Sequence, residues 1–246
     1  MCSDNANKPT VSDEADPWGP FSGGFRREHL TEEYMARLAK HAEGQPGFTA
    51  LSESERDANR YALLDRRRPN QSVWVFAYGS LMWNPAVHVA ERRFARVYGF
   101  HRSFCLWTPL GRGSPDNPGI VLGMKPGGSC NGVVLRLASH AVDEETRILW
   151  RREMFSGVYQ PRWLRAHSSR GEVDAIAFTM DTTHERYTGD IPLERTVRAL
   201  ATAAGRLGSS YDYLASTVAH LDELGLHDGA MHKLLQHVEN YRRGSR

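Results

Sequence analysis

The stretch VWVFAYGSLMWNP, residues 73–85, decides how this chain is read. Its first six residues form an uninterrupted apolar run of Val, Trp, Phe, Ala and Tyr, the pattern of a strand covered on both faces. The run then meets Gly79-Ser80 and turns at Asn84-Pro85. A glycine at a strand exit lets the backbone turn sharply and come close to a ligand, successive amides in such a turn form an anion-binding concavity, and Ser80 adds a hydroxyl. An ordinary strand-to-loop exit has the same composition, so the pattern alone leaves both readings open.

Downstream of this run, strands are expected at 95–108, at GIVLGM (119–124), at NGVVLRL (131–137) and at 173–180, with Gly- and Pro-rich punctuation at 111–118 and 126–128. One helix, Val142 to Phe155, falls between strands, with Ser139 or Asp143 placed to accept from its free first-turn amides. The chain ends in helices at Pro192–Ala204, Tyr211–Leu224 and Gly229–Tyr241. Strands first and helices later predict an α+β fold around a closed or strongly curved, barrel-like sheet flanked by helices.

Upstream, Leu30, Tyr34 and Leu38 fall four apart, and Ser52 with Glu55 makes a capping-box pattern ahead of Tyr61, Leu63 and Leu64. Two short helices are expected there, preceded by a tail built around Trp18 and Phe21, with Trp18 the candidate docking side chain. Pro69 disfavours helix at the residue before it, so the run Arg66 to Asn70 marks a boundary. The chain divides into an N-terminal extension, 1–72, and a main domain, 73–246.

Composition narrows the function. The 246 residues carry 31 Lys+Arg against 29 Asp+Glu, a net charge of +2, with 40% hydrophobic and 24% charged residues. That is ordinary globular usage with no domain-sized basic face, which argues against nucleic acid as a partner. The 3 cysteines, Cys2, Cys105 and Cys130, contain no CxxC pair, which suggests neither a disulfide framework nor a structural zinc site. No apolar stretch reaches membrane-spanning length and the start lacks a secretory h-region, so a cytoplasmic protein without membrane association is expected.

The strongest candidate for chemistry outside residues 78–81 is Glu153. On a helix that starts near Val142, positions 142, 146, 149 and 153 share one face, and the first three are Val, Thr and Leu. A carboxylate on that stripe, if buried, has its pKa raised toward the range suited to proton transfer near neutrality. The alternative is a frayed helix end at which Glu153 pairs with Arg152 or Arg162 at the surface. Glu144 and Glu145 fall in the first turn, where negative charge suits the helix dipole. His220, His227, His232 and His237 are spaced by seven and five, not by the four of a metal-binding helix face, so no metal site is expected. Gly111-Arg112-Gly113 lacks the remainder of a dinucleotide fingerprint, and no GxSxG elbow or activated cysteine marks a covalent nucleophile. Tyr159, Tyr187 and Tyr213 are candidate pocket donors among aromatic residues that mostly build core.

Taken in order, VFAYGSLMWNP, GIVLGM, NGVVLRL, LWRREMFSGVYQPRW and the helical end containing YDYL resemble the ChaC family of γ-glutamylcyclotransferases from about Val73 to the region of Tyr241. The resemblance implies a small α+β barrel-like fold and a cofactor-independent enzyme that splits glutathione into 5-oxoproline and cysteinylglycine. It also implies that the loop Tyr78, Gly79, Ser80 and Leu81 holds the γ-glutamyl group, and that Glu153 is the acid/base residue. Two alternatives stand beside it: cyclisation of other γ-glutamyl amines, and a non-catalytic module that binds γ-glutamyl ligands.

Overall fold

The computed structural model describes residues 25–45, 47–67 and 71–245. Trp18 and Cys2 lie outside the described residues, as do Arg68 to Asn70 of the expected boundary. Five strands close a barrel in the order β1-β3-β2-β4-β5: β1 (Trp74–Ala77), β2 (Val89–Thr108), β3 (Gly119–Leu137), β4 (Tyr159–Ser168) and β5 (Gly171–Met180). The closed α+β architecture is the one the order of strands and helices predicts.

The central run behaves as its composition demands. All four residues of β1 are buried, and β1 lies between β3, paired antiparallel from Trp74↔Arg136 to Ala77↔Val133, and β5, paired in parallel at Trp74↔Ala175 and Val75↔Ile176. That parallel pair closes the barrel and leaves no free edge there. β2 and β3 are longer than expected. The two strands foreseen at 119–124 and 131–137 are one strand, 119–137, because the Pro126–Gly128 punctuation is absorbed as a bulge opposite Tyr98 and Phe100 instead of ending the ladder.

Gly132 marks where β1 approaches most closely. A Cβ there would sit 2.4 Å from the Ala77 carbonyl oxygen and 2.8 Å from the Phe76 ring. Backbone cannot yield as a flexible side chain does, so Gly132→Ala is expected to cost roughly 1–3 kcal/mol by overpacking, read as a lower midpoint in urea unfolding with an unchanged slope.

Around the barrel stand α1 (Glu32–Ala42), α2 (Glu53–Leu64), α3 (Val142–Glu153), α4 (Leu193–Thr202), α5 (Ser210–Glu223) and α6 (Gly229–Gly244). The Ser52/Glu55 capping box forms as read: the Ser52 hydroxyl accepts from the Glu55 amide and the Ser52 amide donates to Glu55 Oε2 at 2.8 Å. The start of α3 is different. Ala141 is its N-cap, with no side-chain cap, and Ser139 sits in a short 3₁₀ turn ahead of it. Pro192 is the N-cap of α4 and not its first helical residue.

The segment ahead of the barrel shares the barrel's hydrophobic core through Leu30, Tyr34, Met35, Leu38 and Leu63. Polar ties reinforce it. Trp150 Nε1 donates to Asn59 Oδ1 at 2.9 Å, Trp163 Nε1 to the Leu63 carbonyl at 3.0 Å, and Arg60, itself fully buried, pairs with Asp143 at 2.7 Å. Glu145 is also part of this joint. Its side chain is completely buried and takes Arg27 at 2.6 Å and the His88 amide at 3.0 Å, so its role is to anchor the incoming chain and not merely to complement a helix dipole at the surface. Among the described residues no helix is long and apolar enough to cross a membrane.

Candidate active site

Chain geometry at the ends of β1 and α3 brings the two sequence features together. After Ala77 the backbone leaves the sheet at Tyr78 and Gly79, whose φ of −141° and ψ of −136° fall outside the strand region, and closes a 3₁₀ turn over Ser80–Met82 in which the Met82 amide donates to the Gly79 carbonyl at 2.8 Å. α3 stops at Glu153, and Gly157, with φ of +65°, turns the chain into β4, which begins at Tyr159. Tyr78, Gly79, Ser80, Leu81, Glu153, Tyr159 and Tyr213 therefore border one recess, floored by Leu122 and Phe178.

Glu153 is neither frayed nor at the open surface. Its side chain is 16% exposed, toward the recess, and its Oε1 lies 3.0 Å from Nε of Arg152, itself 7% exposed. Burial pushes the Glu153 carboxyl above the usual carboxylate range, and the charge and hydrogen bond of Arg152 offset part of that rise. Arg152 also donates to the Ser80 hydroxyl at 2.9 Å and to the Asn84 carbonyl, so one guanidinium fixes the turn after β1 and the carboxylate at the end of α3. Arg162, the other partner considered for Glu153, instead meets Gln160.

The tyrosines divide by what their hydroxyls already hold. Tyr78 donates to the Phe178 carbonyl at 2.9 Å and Tyr159 to the Leu122 carbonyl at 3.0 Å, so each proton is committed to backbone and each ring is a fixed wall. Tyr213 is different, because its hydroxyl meets the Ser80 side chain beside Glu153. Burial raises the pKa of all three, which keeps them protonated beside the carboxylate. Tyr187 is not brought to the recess. Its backbone bridges to Leu106 and its ring packs against the small cluster of Cys105, Leu106, Val158 and Met180. The neighbouring Arg186 lines the site in its stead.

The recess opens into a cleft of ≈ 470 Å³ that shares Ser80, Leu122, Glu153, Tyr159 and Tyr213 with it. Its walls include Phe25 and Phe48 from the segment ahead of the barrel, Trp83 stacked on His220 with ring centroids 4.5 Å apart, and three arginines, Arg112, Arg152 and Arg186. Glu153 is the one carboxylate among these lining residues. A larger depression of ≈ 540 Å³ shares only Arg186 with this cleft and contains neither Glu153 nor residues 78–81. Cys105 and Cys130 are buried and free, and burial pushes the Cys105 thiol up to about 12, a poor setting for a thiolate. Away from the cleft, Asp222, His227 and His232 converge with ligating atoms within 4.8 Å of one another. Single-helix spacing does not reveal that cluster, and His232 Nε2 is already hydrogen-bonded to Asp222 at 2.9 Å.

A closed five-stranded barrel flanked by helices is the fold shared with solved γ-glutamylcyclotransferases. A yeast γ-glutamylcyclotransferase specific to glutathione superposes with a TM-score of 0.64 at 22% identity, over 70% of this chain and 98% of that one. The chain belongs to the ChaC family: the family model described as ChaC-like protein matches residues 73–241. Among its relatives is the glutathione-specific gamma-glutamylcyclotransferase of Escherichia coli (strain K12), 37% identical over 206 residues that cover 81% of this chain and 89% of the relative. Gamma-glutamylcyclotransferase 2-1 of Arabidopsis thaliana is 29% identical over 155 residues, 58% of this chain and 70% of the relative.

Proposed function

We propose that this chain is a cytoplasmic enzyme that cyclises the γ-glutamyl group of glutathione to 5-oxoproline and releases cysteinylglycine, with Glu153 as the proton carrier. One observation supports this most directly: a carboxylate raised by burial stands alone among cations and neutral donors in a cleft that continues from the 78–81 turn. Glutathione carries two carboxylates and one ammonium group, and a cleft lined by Arg112, Arg152 and Arg186 matches that charge.

The chemistry asks for little else. The α-amine of a γ-glutamyl amide can reach its own γ-carbonyl carbon and close a five-membered ring, so the substrate supplies the nucleophile and the enzyme supplies confinement. The ionised Glu153 takes a proton from the α-ammonium, the amine nitrogen forms the new C–N bond, and the γ-carbonyl oxygen carries the charge of the tetrahedral intermediate. The oxyanion then re-forms the carbonyl as the bond to the cysteine nitrogen breaks, and the same carboxyl gives its proton to that departing nitrogen. The ionised carboxylate takes the second proton from the ring nitrogen, leaving a neutral lactam and passing that proton to the freed amine or to water. The 78–81 turn holds the γ-glutamyl head, with Tyr78 and Tyr159 as rigid walls and the Tyr213 hydroxyl with Ser80 as the polar edge. Residues 73–246 form the catalytic unit, and the preceding segment completes the cleft through Phe25 and Phe48.

The test is incubation of the purified protein with reduced glutathione and detection of both products by mass spectrometry, beside a panel of γ-glutamyl amino acids. Equimolar 5-oxoproline and cysteinylglycine are expected. Product only from the panel moves the substrate to other γ-glutamyl amines, and saturable binding with no product from any of them overturns catalysis.

A further inference from the structure

Two of the three arginines in the cleft form no ion pair among the described residues, although Asp212 acts on Arg112 and Glu185 on Arg186 from longer range. Among the described residues Arg152 is paired with Glu153, whereas neither Arg112 nor Arg186 forms an ion pair. Arg112 donates to the Ser209 carbonyl at 3.2 Å and lies over the Tyr213 ring at 4.6 Å. Arg186 is 7% exposed and donates from Nε to the Trp107 carbonyl at 2.9 Å and from Nη1 to the Ser156 hydroxyl at 3.2 Å. Its guanidinium stacks on Phe48, 4.6 Å from the ring centroid, and Phe48 in turn packs on Phe155 at 5.6 Å. A guanidinium held in a buried site without an ion-pair partner is costly to the fold, and an arriving anion offsets that cost. Burial pushes the Arg186 pKa down to about 10, which still leaves it fully charged at neutral pH.

Arg186 stands on the outer side of Tyr159, near enough for its charge to act on that ring's hydroxyl. It lines the wide cleft but not the inner recess formed by residues 78–81, Glu153 and the tyrosines. The platform beneath it, Phe48, comes from the segment ahead of the barrel. We infer that Arg186, set on Phe48, is the subsite for the terminal carboxylate of the substrate's leaving portion, which makes the segment ahead of the barrel part of the selection for a γ-glutamyl peptide with a free C-terminus. This rests on the reading of the cleft as a γ-glutamylcyclotransferase site.

A guanidinium–carboxylate contact is a charge-assisted hydrogen bond, with a net contribution that corresponds to roughly 10- to 100-fold in binding. The test compares kcat/KM for glutathione and for its glycine carboxamide, which keeps the γ-glutamyl head, the thiol and the length but loses the terminal charge. Wild type is expected to prefer glutathione by roughly 10- to 100-fold, mostly through KM. In Arg186→Met the ratio is expected to fall to about one, with glutathione losing and the carboxamide holding. Arg186→Lys, which keeps the charge without the fork, is expected to restore part of the preference. Equal turnover of the two substrates by wild type overturns the subsite whatever the variants do. A ratio unchanged in Arg186→Met also overturns it, as does a parallel loss of both substrates, which would place Arg186 at the γ-glutamyl head. Absence of turnover of any γ-glutamyl substrate by wild type is the separate failure of the catalytic reading.

Discussion

Glu153→Gln is expected to lower kcat for glutathione by roughly 10²- to 10⁴-fold while changing KM little, because the amide keeps the carboxyl's shape and cannot carry the proton. In wild type the working form is the carboxylate, so kcat falls as pH drops through the folded-state pKa of Glu153. Burial raises that pKa, so the acid limb lies above the ordinary carboxylate range. The residual rate of the glutamine variant should show no such limb. A variant that kept near-normal turnover and the same acid limb would remove Glu153 from the mechanism.

The same substitution has a stability counterpart of opposite sign. A carboxyl whose folded pKa exceeds its unfolded pKa binds the proton more tightly in the folded state. Its contribution is therefore fully present below the unfolded pKa and is lost as pH rises through the folded value. The Arg152 contact works the other way but is the smaller influence at this site. Glu153→Gln is thus expected to match wild type in acid and to gain on it toward neutrality, the trade of stability for function that a buried catalytic acid imposes.

What the sequence made legible follows from how locally each feature is encoded. The run 73–78 announces a strand covered on both faces because apolar character without alternation has few other uses, and the Ser52/Glu55 box encodes its own helix start. Glu153 is legible because a carboxylate interrupts a helical stripe whose period is read directly. β4 is not legible in this way. Tyr159 to Ser168 includes Pro161, Arg162, Arg165 and His167 and is only half-buried, so neither an apolar run nor clean alternation marks it. It is a strand because β5 pairs with it along its full length, from Tyr159↔Met180 to Ser168↔Gly171. Arg186 and Phe48 carry no local signal at all. They are 138 positions apart in the numbering and meet only when the chain ahead of the barrel packs over the mouth. Tyr187 shows the limit from the other side: a plausible residue type, one position from the residue that reaches the cleft.

Trp150→Ala is expected to be the most damaging single change to stability. The indole is 1% exposed, packs edge-on against Phe178 with centroids 5.1 Å apart, and ties α3 to α2 by its hydrogen bond to Asn59. Truncation of a buried Trp opens a cavity that rigid barrel strands cannot collapse into, a loss of roughly 3–5 kcal/mol, and it leaves the Asn59 carbonyl oxygen short of a donor. At 2–4 °C per kcal/mol for a chain of this size, Tm should fall by roughly 6–20 °C. Asn59→Ala isolates the hydrogen bond and should cost only about 1 kcal/mol. The two variants separate packing from polar tie, and activity separates both from the site. Trp150 lies one turn before Glu153 on the same helix, so the cavity loosens the carboxylate's support, whereas Asn59 meets α3 through its hydrogen bond to the indole. Folded Trp150→Ala at low temperature should therefore lose kcat as well as Tm, while Asn59→Ala should lose Tm alone. A Trp150→Ala protein with a Tm within about 2 °C of wild type would mean that α3 is held by the barrel without its indole, and that the position of Glu153 is fixed by Arg152 and Ser80 instead.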